Sequence, residues 1–313
     1  MITSIIKNFI NLIPLHVLKN KRFIFCYHDV SENNSPFYSP SHYSTNVNTF
    51  KCHLKFFSSE CNIVPLDDLL HDENLPKNKI HISLTFDDGF ESIRSVVHPI
   101  LKSNKIPYAI FVNKEAVVNN QLWVTNLLLH KSNIEYLKLI YTNHIKKAKV
   151  GFEIFCNNPL GFISEFSFSE QSEEIFRLPI NDLPKTYLSL EDLVFLKKEG
   201  IYIGSHSEHH YVLSQCLTNL QQTEIQNNQQ YLKEALGINP NIFAIPFGKK
   251  EHYSNEIIQV ANRYCLQYLL NTNVNPYDFS SNNSLIPRIV IQDIDLNTLK
   301  FYMLRTVLKK YDL

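Results

Sequence analysis

The strongest constraint on this chain is an alternation. Short runs rich in β-branched and aromatic residues take turns with segments of helical period along most of its length. The runs at 22–30 (RFIFCYHDV), 79–88 (KIHISLTFDD), 107–113 (PYAIFVN), 201–206 (IYIGSH), 241–248 (NIFAIPFG) and 284–291 (SLIPRIVI) read as strands. Between them, 48–60, 92–104, 188–200, 217–237 and 254–264 read as helices. The helix at 188–200 carries its own punctuation, with Ser189 and Asp192 spaced for a capping box and Gly200 at the exit. Strands separated by helical crossovers predict an α/β fold with a mainly parallel sheet.

Two stretches leave the rhythm. Residues 114–185 are aromatic-rich and irregular, and are expected to form an insertion that could roof a cleft. Residues 1–20 read as an amphipathic N-terminal segment, with Lys19, Lys21 and Arg22 after its apolar face. Lys7, Asn8, Asn11, Pro14 and His16 break it too often for a spanning helix, which needs about 20 mostly apolar residues. It also lacks the pattern of a signal peptide. The expectation is an amphipathic helix packed on the domain, with a weak membrane-surface contact as the alternative, and a cytoplasmic or membrane-peripheral location.

Composition narrows the function. Thirty Lys and Arg balance thirty Asp and Glu, which argues against a broad basic face for nucleic acid. The six cysteines form no C-x-x-C pair; several, such as Cys26 and Cys265, lie in apolar runs and read as small buried hydrophobes, and so sparse a scatter suggests a reducing compartment rather than a disulfide scaffold.

In α/β folds, ligands gather at the C-terminal ends of parallel strands. Three expected strands end in residues that carry chemistry: Thr85-Phe86-Asp87-Asp88-Gly89, Gly204 through His210, and Ala244 through Gly248. Asp-Asp-Gly alone marks a turn, and His-x-x-x-His alone a surface feature. Together at strand ends they point to a metal. His206 and His210, four apart, face one way on a helical turn. Two histidines and a carboxylate form a set that leaves coordination positions open for water and substrate. One of the adjacent aspartates can be that ligand, leaving the other to accept a proton. His209 is a rival ligand at three-residue spacing.

TFDDG, HSEHH and FAIPFG, in this order, together with CYHDV near the start and a late IPRI, resemble the polysaccharide deacetylases of the NodB-homology type, carbohydrate esterase family 4. The resemblance runs from about residue 22 to 291. It implies a distorted (β/α)7-type barrel occupying 21–313, with the insertion between the second and later strands. It also implies a zinc-like divalent ion and hydrolysis of an N-acetyl group from an amino sugar of a surface glycan or its precursor. Carried over by position, Asp87 is the base, Asp88, His206 and His210 hold the metal, and the N–H of Phe247 binds the oxyanion. Where the family has an arginine this chain has Ala244; Arg288 is a candidate to replace that charge and orient Asp87, or else forms an ordinary ion pair at the barrel mouth.

Many members carry a late Leu-x-His that protonates the leaving amine, yet no histidine follows His252 here. His28 is the candidate for that role and His252 a weaker one. The gap leaves three alternatives: an O-deacetylase, a deformylase or other amide hydrolase, or a carbohydrate-binding barrel with little turnover. Trp123, the only tryptophan, is a candidate wall of a sugar subsite or a core residue.

Overall fold

The computed structural model describes residues 13–32, 44–130, 132–145, 151–177, 184–279 and 284–308. Most of the expected N-terminal segment (1–12), the lysine-rich 146–150 and the end of the chain (309–313) lie outside the described residues.

The alternation folds as a parallel α/β barrel. Its strands are β1 (Arg22–Tyr27), β2 (Ile80–Phe86), β3 (Ala109–Val112), β4 (Tyr202–Ser205), β5 (Ile242–Ala244), β6 (Tyr268–Asn271), β7 (Leu285–Pro287) and β8 (Ile289–Val290). Around the sheet the order is β7-β6-β5-β4-β3-β2-β1-β8, every pair parallel. β7 and β8 stand at opposite ends of that order, yet only Arg288 separates them in the chain. The 285–290 segment is therefore one bent stave bonded to β6 on one side and β1 on the other. It nearly closes the barrel and makes seven staves from eight strands.

Helices α1 (Val47–Glu60), α2 (His98–Ser103), α3 (Leu190–Lys198), α4 (Thr218–Leu236), α5 (Asn255–Arg263) and α6 (Leu296–Leu308) follow or separate the strands. All seven residues of β2 are buried, as expected for a strand covered on both faces. Ser189 and Asp192 form the capping box of α3. All six cysteines are free; Cys26 and Cys216 are buried as expected, but Cys265 in its apolar run is exposed, as is Cys52. No described helix is long and apolar enough to cross a membrane.

The residues after β3 correct the expectation of irregularity. Lys114–Asn119, Trp123–Leu129, Ile134–His144, Phe152–Asn157 and Ser172–Phe176 are helices. They are 5 to 11 residues long, too short to display a clear helical period. Their order comes from a separate aromatic core of Trp123, Phe155, Phe166, Phe168, Phe176 and Tyr211.

Candidate active site

Register brings the three loaded strand ends to one rim. Phe86 pairs with Ile110, Val112 with Ser205, and Ser205 with Phe243, so β3 links β2 to β4 and the residues that follow β2, β4 and β5 emerge at one rim. The barrel mouth there opens into a cleft of about 400 Å³. Its walls include His28, Asp87, Asp88, His206, His210 and Phe247, with Lys249 and Gln292 at the exposed edge. The described part of the insertion contributes none of the lining residues, so it buttresses the cleft rather than roofing it.

The expected ligands converge. The Nε2 atoms of His206 and His210 lie 3.3 and 3.4 Å from the same oxygen, Asp88 Oδ1. His206 Nδ1 lies 2.7 Å from the Ala244 carbonyl, which can only accept, so Nδ1 carries the proton and Nε2 presents a lone pair. Asp88 Oδ1 is buried and has no hydrogen-bond partner. A buried carboxylate oxygen without a hydrogen-bond partner, facing the His206 lone pair with His210 Nε2 beside it, calls for a positive charge between them. Asp88, His206 and His210 thus fit a divalent ion, with ligand atoms within 4.8 Å of one another.

The buried carboxylates and imidazoles also perturb one another's charge. Burial opposes a charge on Asp88, but the adjacent histidines hold its carboxyl below the usual range. Burial also works against a charge on His206, and Asp87 and Asp88 overcome it and raise its pKa. His210 goes the other way: burial, with His206 beside it, pushes it down to about 4.

The backbone corrects one expectation. His206 and His210 do not share a helical turn. The loop between them is irregular, with Ser207 at φ +66° and His210 at φ +61°. Side chains hold it. Asn113 Nδ2 donates to the His206 and Ser207 carbonyls, Ser207 Oγ accepts from the His210 N–H, and Trp123 Nε1 donates to the His210 carbonyl at 2.9 Å. Asp88 and Phe247 also sit at positive φ, so four of the eight described non-glycine residues in that region belong to this site. Such backbone is costly and persists where the surroundings over-determine it.

Asp87 is not aimed at the histidines alone. Arg288, fully buried at the barrel seam, donates Nη1 to Oδ1 and Nη2 to Oδ2, each at 2.7 Å. Burial disfavours a charged Asp87, but this guanidinium and His206 hold its carboxyl far below the ordinary value. In the loop after β5, Phe247 turns at φ +60° and stacks its ring edge-on against His210, centroids 4.6 Å apart. Nothing among the described residues accepts from the Phe247 N–H. His28 lines the cleft, its ring nitrogen within 4.8 Å of an Asp87 oxygen and the Cys26 sulfur.

Other candidates fall outside. His209 points away from Asp88, with Nδ1 2.6 Å from Glu224 and Nε2 3.4 Å from Glu173. His252 is buried behind the Phe247 turn, where its Nδ1 accepts from the Lys249 N–H. Trp123 is 3% exposed and belongs to the insertion core, so it is no sugar platform.

A polysaccharide deacetylase family model matches residues 74–156 and 165–269. The chain belongs to the polysaccharide deacetylase family. As a polysaccharide deacetylase it is a carbohydrate-acting hydrolase whose family removes acetyl groups from acetylated glycans. Solved structures share the architecture. One is the deacetylase PplD of Streptococcus pyogenes in complex with acetate, 17% identical, covering 93% of this chain and 98% of that one at a TM-score of 0.58. Another is a de-N-acetylase from Aggregatibacter actinomycetemcomitans, 14% identical, covering 90% and 99% at 0.59. A third is IcaB from Ammonifex degensii, 14% identical, covering 91% and 97% at 0.58. At these identities the likeness bears on the fold. No curated protein matches this polysaccharide deacetylase.

Proposed function

We propose that the chain removes N-acetyl groups from amino sugars of a bacterial surface polysaccharide or its precursor, with a divalent metal, zinc by the chemistry of its ligands, held by Asp88, His206 and His210. The observation that carries this reading is the orphaned Asp88 Oδ1 facing two imidazole Nε2 atoms. Two nitrogens and one oxygen suit zinc and leave room for other ligands. Such an ion supplies Lewis acidity, polarising a carbonyl and lowering the pKa of water.

The chain's own groups then divide the work. Asp87 accepts a proton from the attacking water. Arg288 fixes its plane and weakens it as a base, so it serves only a water already acidified. The unused Phe247 N–H would donate to the oxyanion that develops on the acetyl carbonyl oxygen. His28 lines the same cleft with a ring nitrogen within 4.8 Å of an Asp87 oxygen, and we assign it the protonation of the leaving nitrogen. A recess of about 510 Å³ shares Lys249 and Thr272 with the cleft, which gives a polymer room beyond one sugar.

The absence of a histidine after His252 favours a second reading, an O-acetyl ester, because an alcohol leaves with less help than an amine. Acetate release from N-acetylglucosamine oligomers and from O-acetylated xylan separates the two. Release from the amide that disappears in Asp87→Asn supports de-N-acetylation. Release only from the ester replaces it.

A further inference from the structure

Glu224 lies on the barrel-facing side of α4, fully buried. A buried carboxylate needs partners, and it takes both from one residue. Its Oε2 accepts from the His209 N–H at 2.9 Å, and its Oε1 lies 2.6 Å from His209 Nδ1. Its own carbonyl accepts from the Glu208 N–H at 2.9 Å. His209 immediately precedes the candidate ligand His210. Glu224 therefore grips the turn between the two candidate ligand histidines by two backbone N–H groups and one ring.

The neighbours on the same helix face continue the grip. Asn227 Nδ2 donates to Glu208 Oε2 at 2.6 Å, and Asn228 Nδ2 donates to the Val112 carbonyl and Ser205 Oγ. Positions 224, 227 and 228 share one helical face. The outer edge of His209 meets Glu173 of the insertion at 3.4 Å, and its ring stacks on Tyr211 with centroids 5.2 Å apart.

Glu208, His209 and Glu224 lie close enough for a second metal, as do Glu115, Glu173 and His209. Their carboxylates are already matched, however. Glu224 holds His209, Glu208 holds Lys114 and Asn227, and Glu115 and Glu173 both meet Arg177. The cluster is an ion-pair network with no orphaned buried oxygen among its carboxylates.

We infer that Glu224 is a positioning residue for the metal centre: it sets the left-handed turn at 207–210 so that His210 faces Asp88 and His206. This rests on the metal reading above. Residues that orient metal ligands typically change affinity ~10–100-fold when replaced.

The test measures zinc affinity of metal-stripped protein against a chromophoric chelator, with melting of the metal-free protein alongside. Glu224→Gln keeps the shape of the buried side chain and removes its charge. His209→Gln, at a partly exposed position, is the second variant should the first fold poorly. Each is expected to bind zinc ~10–100-fold more weakly, and the double variant no more weakly than the worse single, because both act through one contact. Ser189→Ala, which removes a distant helix cap, is expected to lower the melting temperature with affinity unchanged. Wild-type affinity in both single variants overturns the inference, as does an equal affinity loss in Ser189→Ala. A wild-type protein that binds no zinc overturns the metal reading itself.

Discussion

Arg288 and Asp87 meet through two parallel hydrogen bonds of 2.7 Å, with the guanidinium fully buried at the seam of the barrel. The bent stave that nearly closes the fold thereby also fixes the plane of the candidate base. Removing either partner leaves the other buried and unpaired. Arg288→Ala is expected to cost ~3–5 kcal/mol in denaturant unfolding. Arg288→Lys keeps the charge but not the paired geometry. It should retain more stability than Arg288→Ala while still losing most activity.

The same pair sets a pH dependence. The folded protein holds Asp87 below its unfolded value, so its contribution is fully present above about pH 4 and is lost as pH falls toward the folded pKa. Acid unfolding curves of wild type and the double variant Asp87→Asn/Arg288→Met should therefore differ in slope below about pH 4. Parallel curves would mean the pair contributes nothing in the folded state.

Gly248 stands at φ +67°, and a Cβ there would lie 2.8 Å from the Thr272 backbone nitrogen and 2.7 Å from its Cγ2. That nitrogen donates to the Gly248 carbonyl, so the turn has nowhere to move without shifting Phe247. Gly248→Ala is expected to lower kcat by roughly 10²–10³, the range seen when an oxyanion donor is lost. Metal content should stay at the wild-type level. An unchanged kcat would remove the Phe247 N–H from the mechanism.

Trp123 donates to the His210 carbonyl from the insertion core. Trp123→Phe keeps an aromatic ring and removes that donor, at a cost of ~1 kcal/mol. Metal affinity should fall while KM for glycan stays put. A rise in KM with unchanged metal affinity would restore this side chain as a sugar contact.

The sequence was legible where chemistry and topology coincide. Asp87, Asp88, His206, His210 and Phe247 follow apolar runs, and the strands carry them to one rim. The polar residues that hold them were not. Glu224 and Asn228 occupy a buried helix face where periodicity leads one to expect apolar residues, and Asn113 lies in the core with no motif around it. Their partners are backbone atoms distant in sequence. The loop between the histidines was misread because a spacing of four fits a helix, whereas buried side chains here impose left-handed turns. The insertion helices were hidden by their shortness, and the barrel seam by a strand that changes neighbours at a single arginine.

The central claim is that Asp88, His206 and His210 hold a divalent ion. Elemental analysis of the purified protein and of His210→Ala, each after zinc reconstitution and desalting, tests it most directly. The account predicts one zinc per wild-type chain and none retained in the variant. No metal in the wild type, or an equal amount in both proteins, would contradict it.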